Sequence, residues 1–166
     1  LNKDMLGTFN NIDDIILSTP LQKDVNRYWN IKITPSFFYN RALTVNDSEN
    51  DGIINRTYTL DMQNNIEFHP NFSVLFGAEY QNKRGENIGG SNGAEGYKKW
   101  NDNEALFLQG IYELPGRVVL TAGFRQDWNT TWGKTTTEKV EASYQIPKIS
   151  TTLHAAYATG FRAPSF

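Results

Sequence analysis

The side chains best suited to gripping a ligand lie between positions 82 and 103, where Lys83, Arg84, Tyr97, Lys98, Lys99 and Trp100 stand among Gly85, Gly89, Gly90, Gly93 and Gly96. Cations and rings on a pliable glycine-rich backbone can close around an anionic or aromatic-rich ligand through charge and cation–π contact. The same composition also makes an ordinary solvated surface loop, and the sequence leaves both readings open. A second set, Asp47, Glu49 and Asp51 with Gly52 in sixth place, has the opening rhythm of a calcium loop, in which alternate carboxylates converge on the ion. The bidentate acid due in twelfth place falls on Tyr58, which counts against calcium. No other cofactor is indicated. With no cysteine, two histidines (His69 and His154), and neither a G-x-S-x-G nor an H-E-x-x-H run, the sequence reads as a non-enzyme.

The elements that must hold these residues are legible from composition and period. The chain has 166 residues, and 16 basic against 18 acidic side chains leave a net charge of -2, which gives no electrostatic footprint for nucleic acid. Ten Phe, eight Tyr and four Trp are combined with a mean hydropathy of -0.55, so the chain is aromatic and polar at once. No run approaches the 18 or so apolar residues of a membrane helix, which excludes a helical membrane protein and leaves a membrane β-barrel open. The chain begins at Leu1 with no signal-like segment, so a secretory signal is expected to be removed already or to lie outside this sequence.

Period two dominates from Trp29 onward. Trp29, Ile31, Ile33, Pro35, Phe37 and Tyr39 form one face of a strand, with Phe38 as the exception on the other. Tyr58, Leu60, Met62, Ile66 and Phe68 continue the row in the next strand, broken by Asn64, and Phe72, Val74, Phe76, Ala78 and Tyr80 follow after a turn at 69–71. Strands are predicted at 104–114, at 118–128 after a Pro115-Gly116 turn, at 137–146, and at 149–159 after Pro147-Lys148. In the first of these Leu106, Leu108, Tyr112 and Leu114 are assigned to the apolar face. Residues 1–26, with apolar pieces around Ile12 and Ile15-Ile16-Leu17 and a break at Thr19-Pro20, are expected to hold one more strand.

Short turns at 69–71, 115–116 and 147–148 alternate with longer connections expected at 41–54, 82–103 and 128–136. That asymmetry fits an up-and-down outer-membrane barrel, with short turns at one end and long loops at the other. The polar face suits a hydrated lumen. Tyr39, Tyr58, Tyr80, Trp128 and Tyr157 towards the long loops, and Trp29, Phe68, Phe72, Tyr112 and Tyr144 towards the short turns, suit the two membrane interfaces. Trp128, Trp132 and Lys134 read as part of the first girdle, and outer-membrane lipid and lipopolysaccharide are the expected surroundings, whose phosphates the loop lysines would meet.

Motifs raise the reading from fold to family. The run from Leu153 through Tyr157 to Gly160, Phe161, Arg162, Ala163, Pro164 and Ser165 resembles a segment of the TonB-dependent outer-membrane receptors, where a strand runs into F-[RK]-A-P-[ST]. Ala122-Gly123-Phe124-Arg125-Gln126-Asp127 is similar to that family's aGxRxD strand, and Ala105-Leu106-Phe107-Leu108-Gln109 to its xALFxQ strand, in the family's order. The resemblance covers 54–166 by motif and 1–53 by pattern. Pro164 denies a ladder hydrogen bond and Gly160 permits a bend, so the strand is expected to leave the sheet there, with Arg162 beside Phe161 at the barrel mouth.

The resemblance implies an all-β, antiparallel transmembrane barrel of which this chain is a part, about seven or eight strands, with the plug domain and the carboxyl-terminal strands absent. It implies energy-coupled uptake of an iron siderophore, haem or cobalamin, with TonB, ExbB and ExbD as partners and the long loops binding ligand. Counting back by two from Phe166 gives no strand face, so the last residue is not expected to end a barrel. Two other readings stay open: a small, complete eight-stranded barrel with a structural or adhesive role, closed by a strand within 1–26, and a soluble β-sheet binding module.

Overall fold

The computed structural model describes residues 9–45, 50–88 and 96–161. They form one antiparallel sheet with β1 (Phe9–Ser18), β2 (Leu21–Asn26), β3 (Trp29–Val45), β4 (Asn50–His69), β5 (Phe72–Asn87), β6 (Lys98–Leu114), β7 (Val118–Asn129), β8 (Gly133–Ile146) and β9 (Thr151–Ala158). From β3 to β9 each strand pairs with the next in sequence, which is the expected meander. Both β1 and β2 pair with β3, Ser18 opposite Ser36 and Leu21 opposite Ile33, in one register that holds as far as Asp24, before a shift at Asn26. They are therefore two halves of one strand. The interruption falls at Thr19-Pro20, where Pro20 lacks a ladder donor and Pro35 across the way lacks another. The amino-terminal segment thus supplies the eighth strand, but β1 and β9 do not pair with each other, and the sheet is open among the described residues.

Cα partners in an antiparallel ladder share a face, so the registers test the sequence assignment directly. Ile33, Met62, Ala78 and Leu106 are aligned across four strands, and Tyr112, Leu120, Ala142 and Ala155 across another four. Leu106, Leu108, Tyr112 and Leu114 do lie on the apolar face. Leu60, Leu106, Phe124, Val140 and Tyr157 are all exposed on it, and Ala105 is the one buried apolar side chain among the described residues. A sheet with no apolar core of its own must have this face covered by something apolar. The rings near the short turns touch one another: Phe68 stacks on Phe72 at 6.0 Å and Phe72 meets Tyr112 edge-on at 6.1 Å.

The connections differ from expectation. Strands run on into all three long connections, so that 46–49 separates β3 from β4, 88–97 separates β5 from β6, and 130–132 separates β7 from β8. β4 has 20 residues, about twice the 9–11 that cross a bilayer when tilted. The surplus forms paired hairpins beyond the aromatic band. A further short turn, missed in the sequence, joins β2 to β3 at 27–28 on the same end as the turns near 70, 116 and 148. In the last two of these Gly116 (φ 92°), Arg117 (φ 67°) and Ser150 (φ 49°) take left-handed backbone, which lets three- and four-residue connections reverse the chain.

Candidate functional site

Strand parity decides which loop-end side chains can meet. Lys83 pairs with Asn101 and Thr57, and Lys99 with Gly85, all on the polar face; Arg84 pairs with Trp100 and Arg56, and Glu86 with Lys98, on the apolar-face side. The six candidate residues are therefore not one loop cluster. Lys83 and Arg84 belong to β5, Lys98, Lys99 and Trp100 to β6, and Tyr97 stands at the mouth of that hairpin. Of the glycine-rich frame expected for them, Gly85 belongs to a paired ribbon that runs as far as Asn87, whose N–H donates to the Tyr97 carbonyl at 2.9 Å, while Gly89, Gly90 and Gly93 lie outside the described residues.

On the polar face the sheet carries a graded column of chemistry. At the top, Lys99 lies 5.2 Å from the Tyr97 ring centroid, beside a cavity of about 340 Å³ that Lys83, Asn55 and Thr57 also line. Among the described residues neither lysine has a carboxylate partner, whereas Lys98 on the other face does. Arg84 and Glu86 reach the same cavity from their strands, so its lining combines three cationic side chains, one carboxylate, a ring and amide groups.

Below them runs an amide ladder that sequence reading passed over. Asn101 Nδ2 donates to Asn129 Oδ1 and to Thr131 Oγ1, both at 2.7 Å; Asn129 Nδ2 donates back to Asn101 Oδ1 at 2.7 Å and to Asn103 Oδ1 at 3.2 Å. Asn103 Nδ2 then donates to Asp127 Oδ1 at 2.9 Å. Asp127 accepts from Arg125 Nε and Nη2, and Nη2 also donates to Glu79 at 2.8 Å. Apart from Thr131, in the β7–β8 connection, each group sits on alternate residues of β5, β6 and β7, so one face collects them. The signal in the sequence was the alternation Asn101, Asn103 against Asp127, Asn129, invisible until the β6–β7 register is known. These groups satisfy one another and hold the wall rigid.

The remaining candidates are scattered. Phe161 packs on Trp132, ring centroids 4.7 Å apart, which ties the end of β9 to the β7–β8 connection. Arg162, Ala163 and Pro164 lie outside the described residues, and Gly160 has open space around it. Asp47 and Glu49 also lie outside the described residues, and Asp51 is exposed in β4 opposite Thr44. No group of three or more His, Asp or Glu side chains converges on a metal-sized space among the described residues. Lys134 Nζ lies 5.9 Å from the Trp128 ring centroid, at the girdle position expected for that pair.

Residues 4–166 match the family model described as TonB dependent receptor-like, beta-barrel. No curated protein sequence matches. The solved copper transporter OprC superposes with a TM-score of 0.79, at 14% identity over 93% of this chain and 31% of its own. The siderophore receptor PirA from Pseudomonas aeruginosa gives 0.61, at 17% identity over 93% of this chain and 36% of its own. PirA from Acinetobacter baumannii gives 0.67, at 12% identity over 95% of this chain and 26% of its own. The chain therefore spans about a quarter to a third of these proteins, and the likeness is one of fold. In such a barrel the polar face lines the lumen and the apolar face points outward.

Proposed function

Since the chain belongs to the TonB-dependent receptor β-barrel family, we propose that it forms part of the wall of an outer-membrane receptor that takes up an anionic metal chelate. Iron siderophore or haem stands first, and cobalamin is the alternative. The observation that carries this reading is that Lys83, Lys99 and Tyr97 share the polar, lumen-side face at the loop end, with both lysines free of carboxylates. A chelate with anionic oxygens and aromatic donors finds charge and stacking partners there. The names of the neighbouring siderophore receptors and copper transporter agree with metal cargo. By family, release inward is driven through a plug by TonB with ExbB and ExbD, and the chain's own residues do no bond-making chemistry.

The test uses the full-length protein that contains this chain. Intrinsic fluorescence is titrated with a ferric catecholate chelate, haem and cobalamin in parallel, in the parent and in a Lys83→Gln/Lys99→Gln variant. Saturable quenching by an anionic chelate, weakened about tenfold or more in the variant, is expected from the loss of two charge-assisted contacts. Saturation by cobalamin alone, or chelate binding indifferent to both lysines, overturns the reading.

A further inference from the structure

Phe38 breaks the alternation of β3 by putting a ring on the polar face, and it has company there. At the loop end, pairing carries this face from β1 across β3, β4 and β5 to β6. One rung runs Ile16, Phe38, Thr57, Lys83 and Asn101. Another, nearer the loops, runs Ile12, Ala42, Ile53 and Asn87, and meets Tyr97 at the hairpin mouth. Ile12, Ile16, Phe38 and Ile53 are exposed, whereas Leu75, Phe107, Ile111 and Val119 further down the same face are half-buried. Phe38 and Ile53 have a paired strand on each side, so they are exposed to the space in front of the sheet. Hydrocarbon turned to a hydrated lumen gains nothing until something apolar covers it.

The face changes character from strand to strand. Hydrocarbon covers β1 and β3 and reaches Ile53 on β4, and lysine follows on β5 and β6. Phe38 and Lys83 are two strand spacings apart, about 10 Å, and Asp14 and Lys99 four, about 19 Å. Ile53 lines the same cavity as Lys83, Lys99 and Tyr97, so the apolar half is continuous with the cationic one. Glu86, the carboxylate of that cavity, is already paired with Lys98 and Arg56. The acids of this face at the loop end, Asp14 and Asp51, stand on the apolar half, on β1 and β4. An anion lying across the strands is therefore drawn towards β5 and β6 and turned away from β1, which leaves its uncharged remainder on the hydrocarbon.

We infer that this face takes an amphiphile: an anionic chelate carrying a hydrocarbon chain, its head at Lys83, Lys99 and Tyr97 and its chain entering at Ile53 and lying over the apolar half. The inference rests on the reading of the lysine pocket as a chelate site and adds the class of chelate. The rung between the two apolar ones favours a chain over a flat ring. There Asp14 accepts from Asn40 Nδ2 at 2.7 Å and Asn40 from Asn55 Nδ2 at 3.2 Å. A ring broad enough to touch both apolar rungs would lie on that carboxylate and those amides, whereas a narrow chain follows one rung and leaves them wet.

The test titrates the full-length protein with ferric complexes of one catechol chelator whose amine carries an acetyl, butanoyl or octanoyl group, so that charge is constant and only the chain grows. Fluorescence quenching is read in the parent, in Phe38→Thr/Ile53→Thr, which removes hydrocarbon and keeps strand-forming side chains, and in Lys83→Gln/Lys99→Gln. Heat-modifiable gel mobility confirms that each is folded. In the parent the octanoyl complex is expected to bind about tenfold or more tighter than the acetyl one, since a methylene fully removed from water gives about fourfold. Phe38→Thr/Ile53→Thr should bind the acetyl complex as the parent does and lose the gain along the series. The lysine variant should weaken all three complexes alike and keep the gain. Equal affinity along the series in the parent, or a gain that survives in Phe38→Thr/Ile53→Thr and so belongs to the detergent, overturns the amphiphile and leaves the lysine pocket standing. Saturable haem binding that is lost in that variant, with no gain from longer chains, assigns the hydrocarbon to a flat ring and overturns the chain. A series that ignores both lysines, or that does not bind at all, overturns the chelate pocket and this inference with it.

Discussion

The indole N–H of Trp29 donates to the side-chain oxygen of Asn64 at 3.1 Å, across the β3–β4 ladder and close to the short turns. Asn64 is the polar residue that interrupts an otherwise apolar row, and it is only 5% exposed. The tryptophan both covers the amide and satisfies it. Removing the donor while keeping the ring, as in Trp29→Phe, leaves a buried amide oxygen unpaired and is expected to cost about 1–3 kcal/mol. Adding Asn64→Leu to that variant removes the orphaned group, so most of the loss should return. Urea unfolding of the full-length protein in the four corners of this cycle checks it; additive losses would show that the two side chains act independently.

Gly77 is a packing requirement of the polar face. A Cβ there would collide with the Met62 carbonyl on one neighbouring strand and with the Phe107 ring on the other. Phe107 is an apolar residue on the lumen side, and it lies over the glycine, which gives the ring its place there. Gly77→Ala is expected to destabilise the barrel by about 1–3 kcal/mol. Trimming the ring with Phe107→Leu relieves one collision and leaves the one with backbone, so the double variant should recover only in part. Full recovery, read as the urea midpoint, would mean that the carbonyl contact does not matter.

Arg125 joins Glu79 and Asp127 through a planar fork, with Nη2 reaching both carboxylates at 2.8 and 3.0 Å. Lysine keeps the charge and loses the fork. Because the group is partly exposed to a hydrated lumen, Arg125→Lys is expected to cost about 1 kcal/mol, with the difference from the parent shrinking in 1 M salt. A loss unchanged by salt would assign the role of Arg125 to packing of its stem.

The strands were legible wherever one face is apolar and the other polar. From Trp29 to Tyr39 and from Tyr58 to Phe68 the alternation alone gives the face of nearly every residue. It fails in two places for opposite reasons. At Ile15-Ile16-Leu17 both faces of β1 are apolar, so the period vanishes although the strand pairs continuously with Leu17 opposite Phe37. Beyond the girdle, at 82–87 and 98–103, both faces are polar, and the sequence looks like loop while the backbone ladder continues.

The same blindness hid how the loop-end side chains divide between the two faces. Lys98, Lys99 and Trp100 are neighbours in sequence and look like one basic cluster, yet a strand sends Lys99 to the lumen side and the other two outward. Nothing local says that this stretch is extended; the pairing of Lys99 with Gly85 does. Arg125 and Asp127 were visible as parts of a motif, but their partner Glu79 is 46 residues from Arg125 and comes into reach only through the β5–β6–β7 registers.

The outward hairpin also carries a pH signature. Glu86 has its carboxyl held below the ordinary glutamate value of 4.5, first by the hydrogen bond from Lys98, which desolvation opposes, and then by the charges of Lys98 and Arg56 and a weaker hydrogen bond from Arg56. A depressed carboxyl favours the folded pairing while it is ionised, so the contribution is complete at neutral pH and disappears as pH falls through the lowered value. Carbon-13 titration of the Glu86 carboxyl in micelles should give a midpoint below 4.5, and Lys98→Met should raise it, since the longer contact with Arg56 at 3.6 Å supplies the weaker part of the lowering. A midpoint unmoved by Lys98→Met would separate Glu86 from Lys98 and return that lysine to solvent. Glu86→Gln reproduces the acid state at neutral pH by freeing Arg56 and Lys98 together, so the urea midpoints of parent and variant should converge as pH falls through the Glu86 midpoint.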